Sequence, residues 1–563
     1  MAQRTRVTLV THSEPVEHAH RRLTRGVPMS LAPAAIVSEV TPFQDPETWA
    51  SDDVKQVSAP VEIVIISTIA LLLGVVLRFT TKSSLWLDEA LNVNISHLPL
   101  ADLPAALRHD GHPPLYYALL HEWMLVFGSG DHAVRSLSGL LGLLTLPLAW
   151  FAGRRRGGPL VGWLAVSLMA LSPFALRYST EARMYELVIV LVLAGYLVVD
   201  DIARRQRRGR LVLIELAAIS GALLLTHYWS LWLLASLEVV LLWRWVRGSD
   251  QAKRLGARNA FVAIAIGGLF FVPWLPSFFY QAAHTGTPWG SVQRPTSIIA
   301  VALADFGGGS FRDAELFGGL ILVLVLLGVF ASGIDREKIL IELRTRPAYR
   351  SEAAVIALTF SIGAAVAALS SGAFASRYAA VVFPLVILLA AGGIACFLDR
   401  RIRAVVLVGF LACCLLGAYW NVTFQRTQGR VAADAINSAA VSGDVVVFCP
   451  DQLGPAFSRS LRDDVQAMVY PTLGSPKFVD WVDYAKRNRE TDPVKVAQTV
   501  AERAAGHQIF VVWQPGYHTF ENQCESFYAS LSAARPGATT LVVAGAATDF
   551  YEPGAVSLLP IAP

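Results

Sequence analysis

The sequence predicts an α-helical polytopic membrane protein that ends in a small α/β domain. Hydrophobic residues make up 54% of the 563 residues and charged residues only 16%, which is more apolar surface than a soluble protein can bury in its own core. Long apolar runs recur between Val61 and Trp420, and shorter apolar segments among polar ones follow them. The small net charge of +4 excludes nucleic acid as a partner.

Residues 1–60 are predicted to form a disordered cytoplasmic tail. They contain several prolines and basic clusters such as "HRRLTR", and they lack both a sustained apolar period and the apolar core of a cleavable signal peptide. The membrane domain is then predicted to cover residues 61–420.

About eleven spans are predicted in this domain, because each apolar run with its flanking residues can cross a hydrocarbon core of ~30 Å. The predicted spans are 61–77, 133–150, 160–176, 184–199, 211–225, 230–245, 260–279, 316–332, 353–368, 379–398 and 404–420.

The stretch "HPPLYYALLHEWMLVFG" is ambiguous, because it is apolar but short and carries His121 and Glu122 in its middle. If it is an amphipathic helix on the outer surface, the clusters "GRRRGG", "RRQRRGR", "RWVRGSDQAKRLGAR", "DREKILIELRTRPAYR" and "DRRIR" all face the cytoplasm, as the positive-inside rule requires. Counting it as a span would move all of them outside. The protein is therefore predicted to lie in the plasma membrane, with its active site and C-terminal domain extracytoplasmic.

This topology places an adjacent carboxylate pair, Asp88 and Glu89, in the first outer loop, residues 78–132. It also leaves arginines on the outer side against the topological rule, and these require a reason such as an anion to bind. They are Arg177, Arg183, Arg294, Arg312 and Arg377. A polyprenyl-phosphate sugar fits: its tail stays in the lipid bilayer, arginines hold its phosphate, and a carboxylate takes the proton of an acceptor hydroxyl. We predict Asp88 as this base, with Glu89 as its orienting neighbour or as the ligand of a divalent cation.

Three motifs occur in order: "LWLDEALN", "GHPPLYY" and "RYSTEARMYEL". Together they resemble those of the GT-C superfamily of lipid-phosphate-sugar-dependent glycosyltransferases, in the branch of protein O-mannosyltransferases, aminoarabinose transferases and RgtA/B/C/D-like enzymes. The resemblance covers residues 61–420 and implies a GT-C membrane fold with Asp88 catalytic. It also implies a cavity lined by His112 and a second polar motif formed by Arg177, Tyr178, Glu181 and Arg183. The loop "HTGTPW" is similar to one in actinobacterial members.

Four more residues are candidates for donor or substrate binding, and they lie at outer ends of spans: His227, Tyr228, Arg377 and Tyr378. Structural alternatives stay open. "THYW" also fits an interfacial aromatic belt, Arg177 and Arg183 could reach lipid headgroups or pair with Glu181, and an Asp-Glu pair can simply cap a helix.

The C-terminal region, residues 421–563, is predicted to be an extracytoplasmic α/β domain. The segments "GDVVVFCP", "HQIFVVWQP", "TTLVVAG" and "VSLLPI" are typical of short buried strands, and "RVAADAINSAAV" and "VKVAQTVAERAAG" of helices. Cys449 and Cys524 are the only cysteines placed to pair. A glycine-rich phosphate loop is not recognised, so no nucleotide is predicted.

The leading prediction is a glycosyltransferase that moves a mannose or arabinose-like sugar from a polyprenyl-phosphate donor to a glycan, lipid or protein acceptor of the cell envelope. The alternative is a transporter or flippase of a lipid-linked saccharide. A transporter should carry ionisable residues near the midplane and an internal repeat. The predicted spans have neither feature, apart from Glu215 and Glu238 near span edges.

Overall fold

The structure is a computed structural model that describes residues 58–205, 207, 209–286, 290, 294–309, 313–370, 373–517, 519–546 and 549–561. Residues 1–57 of the predicted tail, three residues of the "HTGTPW" loop and Arg312 lie outside this part of the chain.

The apolar runs form helices that overlap the predicted spans. The predicted span 379–398 is helical over Phe383–Ile394 after a 3₁₀ turn, and the apolar helix Pro295–Phe306 was not predicted. The helices of this part are Val61–Leu77, Leu87–Ser96, Leu103–Asp110, Leu115–Phe127, Asp131–Leu171, Pro173–Ser179, Tyr185–Ala203, Arg210–Thr226, Trp229–Arg247, Gln251–Gly268, Leu275–His284, Pro295–Phe306, Ala314–Phe330, Arg350–Ser370, Phe383–Ile394 and Arg400–Thr423.

Helix length and composition bear on the number of spans. Within the described ranges, 5 helices are long and apolar enough to cross a membrane. They are Asp131–Leu171, Trp229–Arg247, Gln251–His284, Arg350–Leu369 and Arg400–Thr423. Other apolar helices are 10–17 residues long, Val61–Leu77 and Ala314–Phe330 among them. The helical membrane architecture is therefore confirmed, and the count of eleven spans stays a prediction.

The 41-residue helix Asp131–Leu171 contains two antiparallel halves. Gly157 and Gly158 have non-helical dihedral angles, with φ of 74° at Gly158, and Pro159 follows. Only glycine adopts that positive φ without strain, and proline favours a helix start. A Cβ on Gly153 would lie 2.6 Å from the Val161 carbonyl oxygen. The two halves therefore pack closely against each other at this glycine. They correspond to the predicted spans 133–150 and 160–176.

The ambiguous stretch forms the helix Leu115–Phe127, whose 13 residues rise only ~20 Å. Tyr116, Tyr117, Leu120 and Met124 on one face are buried, while Leu125, Val126 and Phe127 at the end are exposed. The helix is short, and one face is buried while its end is exposed. Both features suit a helix on the membrane surface, which remains our prediction.

Strands are concentrated after the last long helix. A small antiparallel pair, β1 (Ala331–Gly333) and β2 (Ile339–Ile341), lies between two membrane helices. The five-stranded sheet contains β3 (Val445–Cys449), β4 (Gln466–Val469), β5 (Ile509–Trp513), β6 (Thr539–Val542) and β7 (Ala555–Leu559).

The order of the large sheet is β4-β3-β5-β7-β6, with β3 parallel to β4 and β5 and with β7 antiparallel to its neighbours. Helices Gly429–Ala439, Tyr484–Glu490, Pro493–Arg503 and Gln523–Ala534 accompany it. All five residues of β3 are buried, as expected for a strand covered on both faces. The predicted α/β C-terminal region is therefore confirmed, although β1, β2 and β4 were not predicted.

A disulfide bond joins Cys449 at the end of β3 to Cys524 in the helix Gln523–Ala534. These are the two cysteines that the sequence had placed to pair.

The C-terminal region is bonded to loops and helix ends of the membrane domain. The contacts are Asn94 Nδ2 to the Lys477 carbonyl at 2.8 Å, the Trp481 N–H to the His109 carbonyl at 2.9 Å, the Asp483 N–H to the His284 carbonyl at 2.8 Å and Arg459 to Asp131 at 3.2 Å. The sheet and the loop containing Asp88 therefore lie on the same side of the helices.

Candidate active site

The carboxylate pair stands at the start of the helix Leu87–Ser96. Trp86 precedes this helix in an extended conformation, which puts Asp88 and Glu89 in its first turn. Negative charge is favourable there because it meets the positive end of the helix dipole. Consecutive helical residues point about 100° apart. The two carboxylates accordingly have different partners.

Asp88 faces two arginines from distant parts of the chain. Its Oδ2 atom lies 3.4 Å from Arg377 Nη2 and 3.6 Å from Arg183 Nη2. This buried oxygen has no hydrogen-bond partner in the described part of the protein. Burial alone would raise the pKa of Asp88, but the charges of Arg183 and Arg377 lower it below its ordinary value. The carboxylate is therefore ionised at neutral pH.

A chain of polar contacts fixes Arg183. It donates from Nη1 to Asn92 Oδ1 at 2.9 Å, and its Nη2 lies 3.3 Å from His112 Nε2. His112 in turn donates from Nδ1 to Asp110 Oδ2 at 2.8 Å, and Tyr117 donates to the same oxygen at 2.5 Å. Because a guanidinium can only donate, Nε2 of His112 accepts from Arg183 and Nδ1 faces Asp110.

Asp110 and Asn92 were not predicted as site residues. Asn92 follows Asp88 by one helical turn, so it shares a face with Asp88, and Asp110 precedes His112 by two residues. These spacings are the only features of the sequence that could have identified Asn92 and Asp110 as site residues.

Glu89 is fully buried and joins the helix Leu87–Ser96 to the helix Asp131–Leu171. Arg135 donates from Nε to its Oε1 at 2.7 Å and from Nη2 to its Oε2 at 2.5 Å, and the Ala182 N–H donates to Oε1 at 2.9 Å. Burial would raise the pKa of Glu89, but Arg135 lowers it.

A divalent cation would have to displace this bidentate arginine, so Glu89 does not fit the cation role considered from the sequence. Elsewhere in the described ranges, no group of three or more His, Cys, Asp or Glu residues could hold a metal ion.

Arg177, Tyr178 and Glu181 form a second network beside the first. Arg177 donates from Nε to Glu181 Oε1 and from Nη1 to Asp305 Oδ1, both at 3.3 Å. Tyr178 donates to Asp305 Oδ2 at 3.1 Å. The Arg177 guanidinium also lies 5.0 Å from the ring centre of Tyr551. Asp305 and Tyr551 were not predicted, and no local pattern pointed to either.

The aromatic candidates divide into two groups. The His227 ring lies 5.7 Å from that of Tyr185 and 5.3 Å from that of Tyr378, and Arg183 lies 5.8 Å from the Tyr185 ring. The structure thus brings His227 and Tyr378 beside the Asp88 site.

Tyr228 faces elsewhere. Its hydroxyl donates to Gln281 and accepts from Trp274 Nε1 at 2.9 Å, and its ring packs against Phe271 and Phe278. Tyr228 therefore does not join the residues around Asp88.

Part of this region matches a known family. Residues 111–276 match the family model described as dolichyl-phosphate-mannose-protein mannosyltransferase. The match includes His112, Arg177 and Arg183, and it ends before Arg377. No curated protein matches the sequence at a significant level.

The crystal structure of apo ArnT from Cupriavidus metallidurans superposes with a TM-score of 0.57 at 12% identity, covering 88% of this chain and 97% of that chain. The crystal structure of the same protein bound to undecaprenyl phosphate superposes with a TM-score of 0.52 at 14% identity, covering 89% of this chain and 98% of that chain. The chain has a GT-C fold. The GT-C resemblance inferred from the three motifs is thereby confirmed, and the actinobacterial origin stays a prediction. A weaker match, at a TM-score of 0.48 and 11% identity, is the Archaeoglobus fulgidus oligosaccharyltransferase, covering 85% of this chain and 72% of that chain.

Proposed function

We propose that this GT-C protein transfers a sugar from a polyprenyl-phosphate donor to an acceptor hydroxyl at the outer face of the plasma membrane. The observation that carries the proposal is the position of the Asp88 carboxylate between Arg183 and Arg377. The similarity in fold to a protein crystallised with undecaprenyl phosphate supports a lipid-phosphate ligand.

Asp88 is the general base of the proposed reaction. Its Oδ2 takes the proton of the acceptor hydroxyl while the acceptor oxygen bonds to the anomeric carbon. The bond between that carbon and the phosphate oxygen breaks, and polyprenyl phosphate departs with the bonding electrons. One base is enough for such an inverting displacement, because the phosphate is a good leaving group that needs charge stabilisation more than a proton.

Arg183 and Arg377 hold the donor phosphate in this scheme. Guanidinium groups bind phosphate oxygens through paired, charge-assisted hydrogen bonds. Both arginines lie at ion-pair distance from the Asp88 carboxylate. His112 helps to fix the Arg183 guanidinium through its contact with Nη2. The same two arginines therefore contact both the donor phosphate and the catalytic base in this scheme.

The donor sugar is proposed to be mannose or an arabinose-like sugar, and the acceptor a cell-envelope glycan, lipid or protein. The test uses membranes with and without the full chain, given labelled polyprenyl-phosphate mannose or arabinose. Label should pass from the lipid to an acceptor with the wild type and not with Asp88→Asn. Equal transfer by membranes lacking the protein, or wild-type transfer by Asp88→Asn, would overturn the proposal.

A further inference from the structure

The segment 549–554 of the C-terminal region folds back beside the helix that carries Asp88. Its backbone is fixed, because the Glu552 N–H donates to the Arg426 carbonyl and the Gln428 N–H donates to the Glu552 carbonyl, both at 3.1 Å. The Tyr551 ring lies 5.8 Å from the Trp86 ring and 5.0 Å from the Arg177 guanidinium. The segment therefore borders the candidate active site.

Glu552 presents an unpaired carboxyl group at this border. Its side chain is buried, with 6% exposure, and neither carboxyl oxygen has a hydrogen-bond partner within the described residues. Two polar neighbours, the Leu87 N–H and the Thr427 hydroxyl, stand outside ordinary hydrogen-bond geometry. A buried carboxyl without partners is costly, so its presence requires a ligand or another explanation.

Two more groups without a hydrogen-bond partner among the described residues lie around Glu552, although Asp88 Oδ2 is ion-paired with Arg183 and Arg377. Trp86 Nε1 and Asp88 Oδ2 are buried and also lack hydrogen-bond partners in the described ranges, although a buried indole N–H usually finds one. The Tyr517 phenol lies among three acids: burial, and then the charges of Glu552, Asp451 and Asp88, raise its pKa. Hydrogen-bonding groups and aromatic rings from both parts of the protein thus converge beside the catalytic candidate.

We infer that Trp86, Tyr551 and Glu552 form the acceptor site, and that this site takes a saccharide with several hydroxyl groups. The inference rests on the proposed transfer reaction and adds the class of acceptor to it. The partly exposed Trp86 and Tyr551 side chains contact the C–H surface of a sugar in this arrangement, while Glu552 and the Trp86 N–H bond its hydroxyls. Asp88 is then adjacent to the hydroxyl that reacts.

The charges around the site favour a neutral saccharide over an acceptor that carries an ammonium group. Arg183 and Arg377 lie beside Asp88. Arg177 pairs with Glu181 and Asp305. These carboxylates are already matched by guanidinium groups and offer little attraction to an ammonium group. Burial, strengthened by the charge of Asp88, raises the pKa of Glu552 well above its ordinary value. This shift favours the protonated carboxyl, which both donates and accepts hydrogen bonds, as hydroxyl groups require.

Stability separates a ligand-binding role from a structural one. Because Glu552 has no hydrogen-bond partner among described residues, Glu552→Leu should leave the melting temperature of the full chain unchanged or higher. The same variant should raise the acceptor KM at least tenfold while the donor KM stays constant. A lower melting temperature with an unchanged acceptor KM would overturn the inference. Glu490→Leu, an exposed glutamate in the C-terminal region, is the matched control.

Direct binding tests the site without turnover, so its failure is distinct from failure of the proposed reaction. Saturation-transfer NMR would be recorded on the full chain in nanodiscs with methyl mannoside, methyl arabinofuranoside, a threonine-containing peptide and an alkylamine. We expect at least one glycoside to bind, with at least a tenfold weaker Kd in Glu552→Leu and Tyr551→Ala and an unchanged Kd in Glu490→Leu. Binding of neither glycoside, binding insensitive to both variants, or equally sensitive binding of the peptide or the amine would overturn it.

Discussion

Arg377 Nη2 lies 3.4 Å from Asp88 Oδ2, and Arg183 approaches the same oxygen at 3.6 Å. Asp88 stands between the first two long helices, while Arg377 lies in the 3₁₀ helix Ser376–Val381, far along the chain. The contact thus joins both ends of the membrane domain. A carboxylate faced by two guanidinium groups stays ionised, and the same groups attract a second anion. A base and an anion site in one place are what the proposed reaction requires.

Replacing Asp88 by Asn removes the base and keeps the side-chain shape. We expect Asp88→Asn to insert and fold normally and to lower the transfer rate by on the order of 100-fold or more. The rate would be measured with labelled donor in membranes that contain equal amounts of protein. Asp102→Asn, an exposed aspartate of the same outer loop, should be unaffected. Turnover by Asp88→Asn at the wild-type level would remove Asp88 from the mechanism.

Glu89 should behave differently from its neighbour. Glu89→Gln leaves Arg135 buried without a counter-charge, which typically costs roughly 3–5 kcal/mol. We expect a clearly lower melting temperature in detergent, whereas Glu122→Gln at an exposed site should melt as the wild type does. The double variant Glu89→Leu with Arg135→Met should recover part of the loss, because Arg135 is removed with its partner. Arg426, which lies 3.6 Å from Glu89, keeps Glu181 at 3.8 Å. A stable but inactive Glu89→Gln would instead indicate a direct role in the reaction.

The structure separates two arginines that the sequence had grouped. Arg377→Ala should raise the donor KM by about ten- to a hundred-fold, since it removes charge-assisted hydrogen bonds worth roughly 1.5–3 kcal/mol, and Lys should rescue only in part. Arg177 already bonds Glu181 and Asp305, so Arg177→Ala should lower stability more than it changes the donor KM. Arg294→Ala, at an exposed outer position, is the control. An unchanged donor KM in Arg377→Ala would contradict the phosphate site.

The pattern of apolar residues in the sequence predicted most elements of this fold, because a membrane span or a buried strand consists of a continuous apolar run. Helix Tyr185–Ala203 and strand β5 follow such runs. Strand β4 was missed because its four residues, "QAMV", are short and half exposed. Motif resemblance supplied Asp88, His112 and Arg183, which the structure brings together.

The partners of these residues could not be predicted, because they depend on packing between distant segments. Arg135 follows Glu89 by 46 positions, and Glu552 reaches the site only through the fold of the C-terminal region. An acidic residue in a loop has the same local sequence whether it is solvated or buried. Tyr228 shows the converse, since its neighbour His227 lies at the site while Tyr228 packs among phenylalanines.

Asp451 should make the stability of the C-terminal region depend on pH. Burial raises its pKa from 3.8 to about 7, even though Tyr484 donates a hydrogen bond to it. The folded protein therefore binds this proton more tightly than the unfolded chain, so the stability contribution of Asp451 falls as pH rises from about 4 and levels off above about 7. Asp451→Asn should gain stability relative to the wild type over that window. The melting temperature would be measured from pH 5 to 8. A constant difference between Asp451→Asn and the wild type over this range would contradict the prediction. The control Asp434→Asn, at an exposed site, should differ from the wild type by a constant amount.

Topology decides which side of the membrane meets the substrates. Because the C-terminal region is bonded to the loop that carries Asp88, both must lie on one side. A cysteine replacing the exposed Lys495 should therefore react with an impermeant thiol reagent added to intact cells, and one replacing the exposed Arg207 in "RRQRRGR" should react only after permeabilisation. The wild type measures background labelling from its free cysteines, of which Cys396 and Cys414 are buried. The reverse pattern would mean that Leu115–Phe127 crosses the membrane and that the active site faces the cytoplasm.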